Sequence, residues 1–163
     1  MGREDDMRLS VVTLILAVFW SVLPAHAATP CLHFEPAVES IVGTLVRKTF
    51  PGPPNYEDIK KGDQAETGWY VNLMAPVCLT GTPGDDLNSE DVAGVKLIQL
   101  VLTHDEYKTH TRLVGKKVKA TGTFFTGHTG HHHTDVLISV DRIAGAMDLL
   151  YRDSSPVTSE SSP

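Results

Sequence analysis

The chain has 163 residues, 14 of them Lys or Arg and 20 Asp or Glu, for a formal net charge of −6 at neutral pH. That length supports one modest domain. The acidic balance excludes a nucleic-acid binder that works through a basic face, and beyond the first apolar segment no stretch is long enough to span a membrane.

That first segment differs from everything after it. Leu9 to Leu23 is almost wholly apolar, yet shorter than the roughly 20 residues that a membrane-spanning helix needs. It runs into Pro24-Ala25-His26-Ala27, where Ala25 and Ala27 form the small-x-small pattern read by signal peptidase. Residues 1–27 are therefore expected to be a signal peptide cleaved after Ala27, leaving a mature form with no membrane span. Glu4, Asp5 and Asp6 are acidic where such a leader is normally basic, whereas Met7-Arg8 has the normal order. Translation is accordingly expected to start at Met7.

Cys31 and Cys78 are the two cysteines. An even count in an exported protein reads as a disulfide, here tying the mature N-terminus to the segment after the second strand. Two free or metal-binding thiols are the alternative, but no CxxC spacing supports it.

Cys31 to Pro36 reads as a short extended lead-in. Ser40 to Arg47, rich in β-branched residues, is the first expected strand, stopped by Pro51-Gly52-Pro53-Pro54-Asn55. Tyr56 to Gly68 reads as a long loop with a turn at Lys60-Lys61-Gly62-Asp63. Trp69 to Met74 is the second strand, closed by Pro76, and Thr80 to Glu90 is a polar loop. Val95 to Leu102, nearly continuously apolar, is a central third strand. Thr103-His104-Asp105-Glu106 has the hydroxyl and the carboxylate of a capping box, so a short helix starts there, with Gly115 at its C-terminus. Lys117 to Thr123 alternates with a period of two, placing Val118, Ala120 and Gly122 inward. His128 to Thr134 is a hairpin loop, Val136 to Val140 the fifth strand, and Ile143 closes the core. From Asp153 to Pro163 the Ser-, Pro- and Thr-rich tail is expected to be disordered, leaving 28–152 as the single folded domain.

Three strands, a short helix and two strands follow the element order of an OB-like barrel. In that fold a five-stranded Greek-key barrel carries one helix between strands three and four. Gly43 and Gly122 suit its tight bends. A small β-sandwich with one helix is the alternative.

Several motifs taken together carry a resemblance. These are Cys31-Leu32-His33-Phe34-Glu35-Pro36, Gly43, Gly52-Pro53-Pro54-Asn55-Tyr56-Glu57, Gly62-Asp63, Pro76-Val77-Cys78-Leu79 and His128-Thr129-Gly130-His131-His132-His133-Thr134-Asp135-Val136-Leu137. As a set they resemble the secreted bacterial family called domain of unknown function 4431. The resemblance implies an exported, single-domain bacterial protein, periplasmic or secreted. It brings no established activity.

The cluster His128, His131, His132 and His133, followed by Asp135, is the one unusual chemical feature. Imidazole is a common ligand for zinc, copper and nickel. In an extended segment His131 and His133 point to one face, Asp135 continues that face, and His128 faces them across the turn. His128, His131, His133 and Asp135 are therefore the candidate metal ligands. The bland reading gives these imidazoles hydrogen bonds that stiffen the hairpin. Asn55, Tyr56, Glu57 and Tyr70 form a candidate ligand rim, although Asn55 and Asp63 also suit local turn bonds. Trp69 is expected in the core and Tyr70 on a stacking surface. Lys116, Lys117 and Lys119 read as a solvated face.

No GxSxG, Walker loop or HExxH is present, so nothing in the motifs argues for an enzyme and no cofactor is established. The first expectation is a non-enzymatic binding module that takes a small ligand, a glycan or an envelope protein through the loops after strands one and four. The second is a protein binding zinc, copper or nickel through the histidine cluster, and the third a metal-dependent hydrolase.

Overall fold

A computed structural model describes residues 30–145. The expected signal peptide, the Met7 start and the tail from 153 to 163 lie outside the described residues. The elements are β1 (Leu32–His33), β2 (Val38–Pro51), β3 (Ala65–Thr80), β4 (Val92–Val101), α1 (His104–His110), β5 (Lys117–Thr126) and β6 (Val136–Gly145).

The protein is mainly β. Its six strands form one mixed sheet in the order β1-β3-β2-β5-β6-β4, and β3 pairs with β4 as well. Each of the five long strands therefore has two long neighbours. All of those pairings are antiparallel except β4 with β6. Ile41, Leu45, Val71, Leu73, Ile98, Leu100, Val118, Ala120, Phe124, Val136 and Ile138 are buried in one apolar core. Alternation within β5 puts Val118, Ala120, Gly122 and Phe124 inside and leaves Lys117 exposed, as the period of two predicts.

Two glycines let the strands approach. A Cβ on Gly43 would stand 2.5 Å from the Asn72 carbonyl oxygen. One on Gly122 would collide with the carbonyl oxygen of Ser139, beside a register shift between β5 and β6. Both are required for close backbone approach.

The helix begins where the capping box places it. Glu106 accepts from the Thr103 amide at 2.7 Å, and the Thr103 hydroxyl receives the Glu106 amide. It ends earlier than expected. After His110 the chain tightens into a 3-10 turn at Thr111–Leu113, and Gly115, at φ 81°, follows that turn. There Gly115 donates to the Leu45 carbonyl at 2.7 Å, so this glycine steers the chain into β5. Tyr107 sets its ring edge on Trp69, 5.1 Å between centroids, and Leu113 is buried below.

Three expectations about the strands need correction. The lead-in contains β1, whose Leu32 and His33 pair in parallel with Leu79 and Thr80. The second strand does not stop at Pro76 but runs to Thr80. Pro76 is tolerated because the β3–β4 register breaks between Asn72 and Val77, so no ladder bond is demanded of it. Cys78 consequently lies within β3, and the Cys31–Cys78 disulfide, with Cα atoms 4.7 Å apart, ties β1 to that strand.

Candidate functional site at the junction of two loops

The loop between β2 and β3 is organised by one carboxylate. Asp63 is buried and accepts from the amides of Asn55, Glu57 and Asp58 at 2.8–3.0 Å and from Asn55 Nδ2 at 3.1 Å. The amides of Asp58 and Glu57 hold its carboxyl below the ordinary carboxylate range. Four donors on one side chain fix the path that carries Tyr56, which sits at φ 60°, a conformation that costs a bulky residue about 1–3 kcal/mol. The sign of the pH effect follows. A depressed folded pKa contributes stability above the unfolded value of about 3.8 and loses it as pH falls through the folded value. Acid is therefore expected to loosen this loop below about pH 4, and Asp63→Asn to remove that pH dependence while destabilising the loop at neutral pH. Amide exchange at Asn55, Glu57 and Asp58 measured against pH checks both outcomes. Protection that is flat with pH in the native protein would refute the assignment.

The loop between β5 and β6 folds back over the outer wall of the sheet. Tyr70 stands opposite Gln99, Gln99 beside Leu137, and Leu137 opposite Phe125, so these four side chains share one face across four strands. The loop caps that row. Gln99 donates to the His131 carbonyl at 3.0 Å and accepts from the His133 amide at 2.7 Å. His133 stacks on Phe50, 4.9 Å between centroids and 8° between planes, and Phe50 in turn meets Tyr70. His132 and His128 pack against Phe125. Tyr70 is thereby fully buried, which removes it from the expected ligand rim. An alternating strand leaves such a residue on the wet face only when nothing covers that face.

The two loops meet at Glu66, near the start of β3. His131 Nδ1 donates to Glu66 Oε1 at 2.7 Å and His133 Nε2 to Oε2 at 3.0 Å. The Tyr56 hydroxyl stands 3.5 Å from His131 Nε2, with the ring edge-on to the imidazole. Bare backbone makes this fit possible. A Cβ on Gly130 would enter the Tyr56 ring at 2.7 Å, and one on Gly52 would strike the Glu66 side chain at 2.5 Å. Beneath the junction the Tyr70 hydroxyl is buried with no hydrogen-bond partner. Burial first, then the charges of Tyr107 and Glu66, push its pKa up to about 12.

His131 and His133 share a face, as extended geometry suggested, but His128 does not join them. His128 Nδ1 donates to the Thr126 carbonyl at 3.0 Å, and its amide donates to His132 Nδ1 at 3.0 Å. His132 is therefore a neutral imidazole protonated on Nε2. Burial, followed by the charges of His128, His131 and His133, lowers its pKa below the ordinary histidine value. Asp135 is exposed, and its carbonyl accepts from the Gly127 amide at 2.9 Å. Asn55 is engaged by Asp63, and the Glu57 side chain is exposed. Among the described residues no group of three or more His, Cys, Asp or Glu side chains is placed to hold a metal ion. Glu66 and Gln99, the two residues that organise the junction, carry no motif by which sequence reasoning finds them.

Residues 97–144, from within β4 to near the end of β6, match the family model described as Domain of unknown function (DUF4431). The match includes Gln99 and the whole histidine loop. No curated protein matches the chain. Among the described residues no helix is long and apolar enough to cross a membrane.

Proposed function

We propose that the protein is an exported, non-enzymatic binding module in which one OB-like barrel domain, 28–152, takes its ligand at the junction of the 52–64 and 127–135 loops. The observation that carries this reading is the clamp of Glu66 by His131 and His133, which joins the two loops and presents Tyr56 at their edge. Strand pairing supports the barrel: β2–β3–β4–β6–β5 returns to β2, with the helix between the third and fourth of the five long strands. In such barrels the corresponding two loops flank the binding face. The disulfide supports an oxidising compartment, periplasmic or extracellular.

A ring edge, a carboxylate and imidazoles side by side suit a neutral polyhydroxylated ligand such as a glycan. The test is ¹⁵N NMR of the untagged mature chain with soluble glycan fragments. Shifts confined to Tyr56, Glu66, Gly130 and His131, and abolished by Tyr56→Ala, are expected. Shifts elsewhere, or none, would overturn the site.

One observation keeps the transition-metal reading as a second: two imidazoles already converge on one carboxylate. Calorimetric titration with zinc, copper and nickel decides it. Fixed stoichiometry at micromolar or tighter affinity, lost when His128, His131 and His133 become Ala, would transfer the function to metal handling. Weak binding that is the same in both proteins would leave the histidines as the loop's architecture.

A further inference from the structure

The outer wall of the β5–β6 hairpin carries a second feature, away from the histidine loop. Arg142 stands opposite Thr121, and Ala144 opposite Lys119. Lys119 and Arg142 are thus diagonal neighbours on one face, with Cα atoms about 7–8 Å apart. A hollow of about 50 Å³ opens between them, lined by Lys119, Thr121, Arg142 and Ala144. Ala144 leaves it open because only a methyl group stands where a longer side chain would fill the gap. The register shift between Thr121 and Gly122 adjoins the hollow, and such bulges re-aim neighbouring side chains.

Its chemistry is consistent. Acids outnumber bases 20 to 14 in the chain, yet among the described residues no carboxylate pairs with Lys119 or Arg142. Two cations held as diagonal neighbours repel unless a third group neutralises them. Thr121 Oγ1 and Ser40 Oγ lie 2.8 Å apart. One of these hydroxyls donates to the other, which leaves the second O–H free to donate outward. Lys117, opposite Thr44, extends the cationic row along β5.

The geometry points to an oxyanion site on this wall, where Arg142 holds a phosphate or sulfate group through its fork, Lys119 supplies the second charge and the Thr121–Ser40 pair a hydroxyl donor. A planar two-toothed guanidinium beside a point-charge ammonium is a set that suits a tetrahedral oxyanion. The site is independent of the loop junction. Val42, directly opposite Lys119, and Val38 are exposed on the same wall. An apolar rim of this kind admits either a soluble phosphate or the headgroup of an anionic lipid.

The test is titration of the mature chain with inorganic phosphate at constant ionic strength, with chloride as control, followed by ¹⁵N NMR. Saturable shifts at Lys119, Thr121, Arg142 and Ala144 are expected, absent with chloride and weakened about tenfold or more in Lys119→Gln and in Arg142→Gln. Both side chains project from the outer wall, so both variants should keep the native melting temperature. Shifts that do not saturate, that chloride reproduces, or that persist in the variants would overturn the site. Flotation with phosphatidylglycerol vesicles against phosphatidylcholine vesicles separates the sources. Variant-sensitive binding to the anionic vesicles assigns a lipid headgroup, and phosphate binding without it assigns a soluble ligand. Vesicle binding that both variants retain counts against the site.

Discussion

Replacing Cys31 and Cys78 together by Ala is expected to destabilise the protein by about 4 kcal/mol. The bridge spans 47 residues, and closing a loop of that length removes chain entropy of about this size from the unfolded state. The native state loses something too. β1 is two residues long and pairs only with Leu79 and Thr80, so the disulfide is its main attachment. Beyond it Phe34 is buried, and the Glu35 amide donates to the Phe124 carbonyl at 2.8 Å. Urea unfolding checks the prediction, and the reduced native protein should match the double variant. A loss below about 1 kcal/mol would mean that cutting the bridge gives the unfolded chain little extra freedom, and would overturn the prediction.

Gly122→Ala is expected to be the most damaging single-methyl change, at about 3 kcal/mol. Its Cβ would meet the Ser139 carbonyl oxygen and stand 2.9 Å from the carbonyl carbon. Both belong to the paired backbone of β6, which cannot turn aside as a flexible side chain can. The strands must separate at the point where their register already shifts. Thr123→Ala, one residue along and on the outer face, is the matched control and should change little. Thermal melts of the two variants suffice. Equal losses would show that the strands have slack at Gly122.

The strand interiors were readable because each has a buried face that must be apolar. The alternation of Lys117 to Thr123 and the capping box at Thr103 each reappear in the structure. The strand ends were less readable. Pro76 signals a stop when taken alone, and only the partner strand reveals a register break that spares its missing donor. β1 is too short to show any period, and it exists because Leu79 and Thr80 lie beside it. Gly115 has the position of a helix-ending glycine in the sequence, but the 3-10 turn at Thr111–Leu113 intervenes and moves its work to the entry of β5.

The site divided along the same line. Local chemistry predicted Asn55 with Asp63 and the shared face of His131 and His133, since those residues are near in sequence. The carboxylate they meet comes from Glu66, 65 and 67 residues away. Nothing near Glu66 in the chain marks it. Tyr70 is buried where the sequence alone predicts an exposed stacking surface, for a related reason. A period of two assigns a residue to the inner or outer face but cannot say that a distant loop will roof the outer one.

The pattern of strand neighbours has a consequence for how the molecule meets its own copies. A bare strand edge is a template on which a second chain can add a strand. Here the five long strands each pair with two others over part of their length, and among the described residues the one strand with a single neighbour is the two-residue β1, stapled in place by Cys31. Concentrated protein should accordingly resist ordered aggregation for as long as the disulfide is intact. Reducing conditions would be the circumstance in which the uncovered end of β3, around Leu79 and Thr80, begins to recruit neighbours.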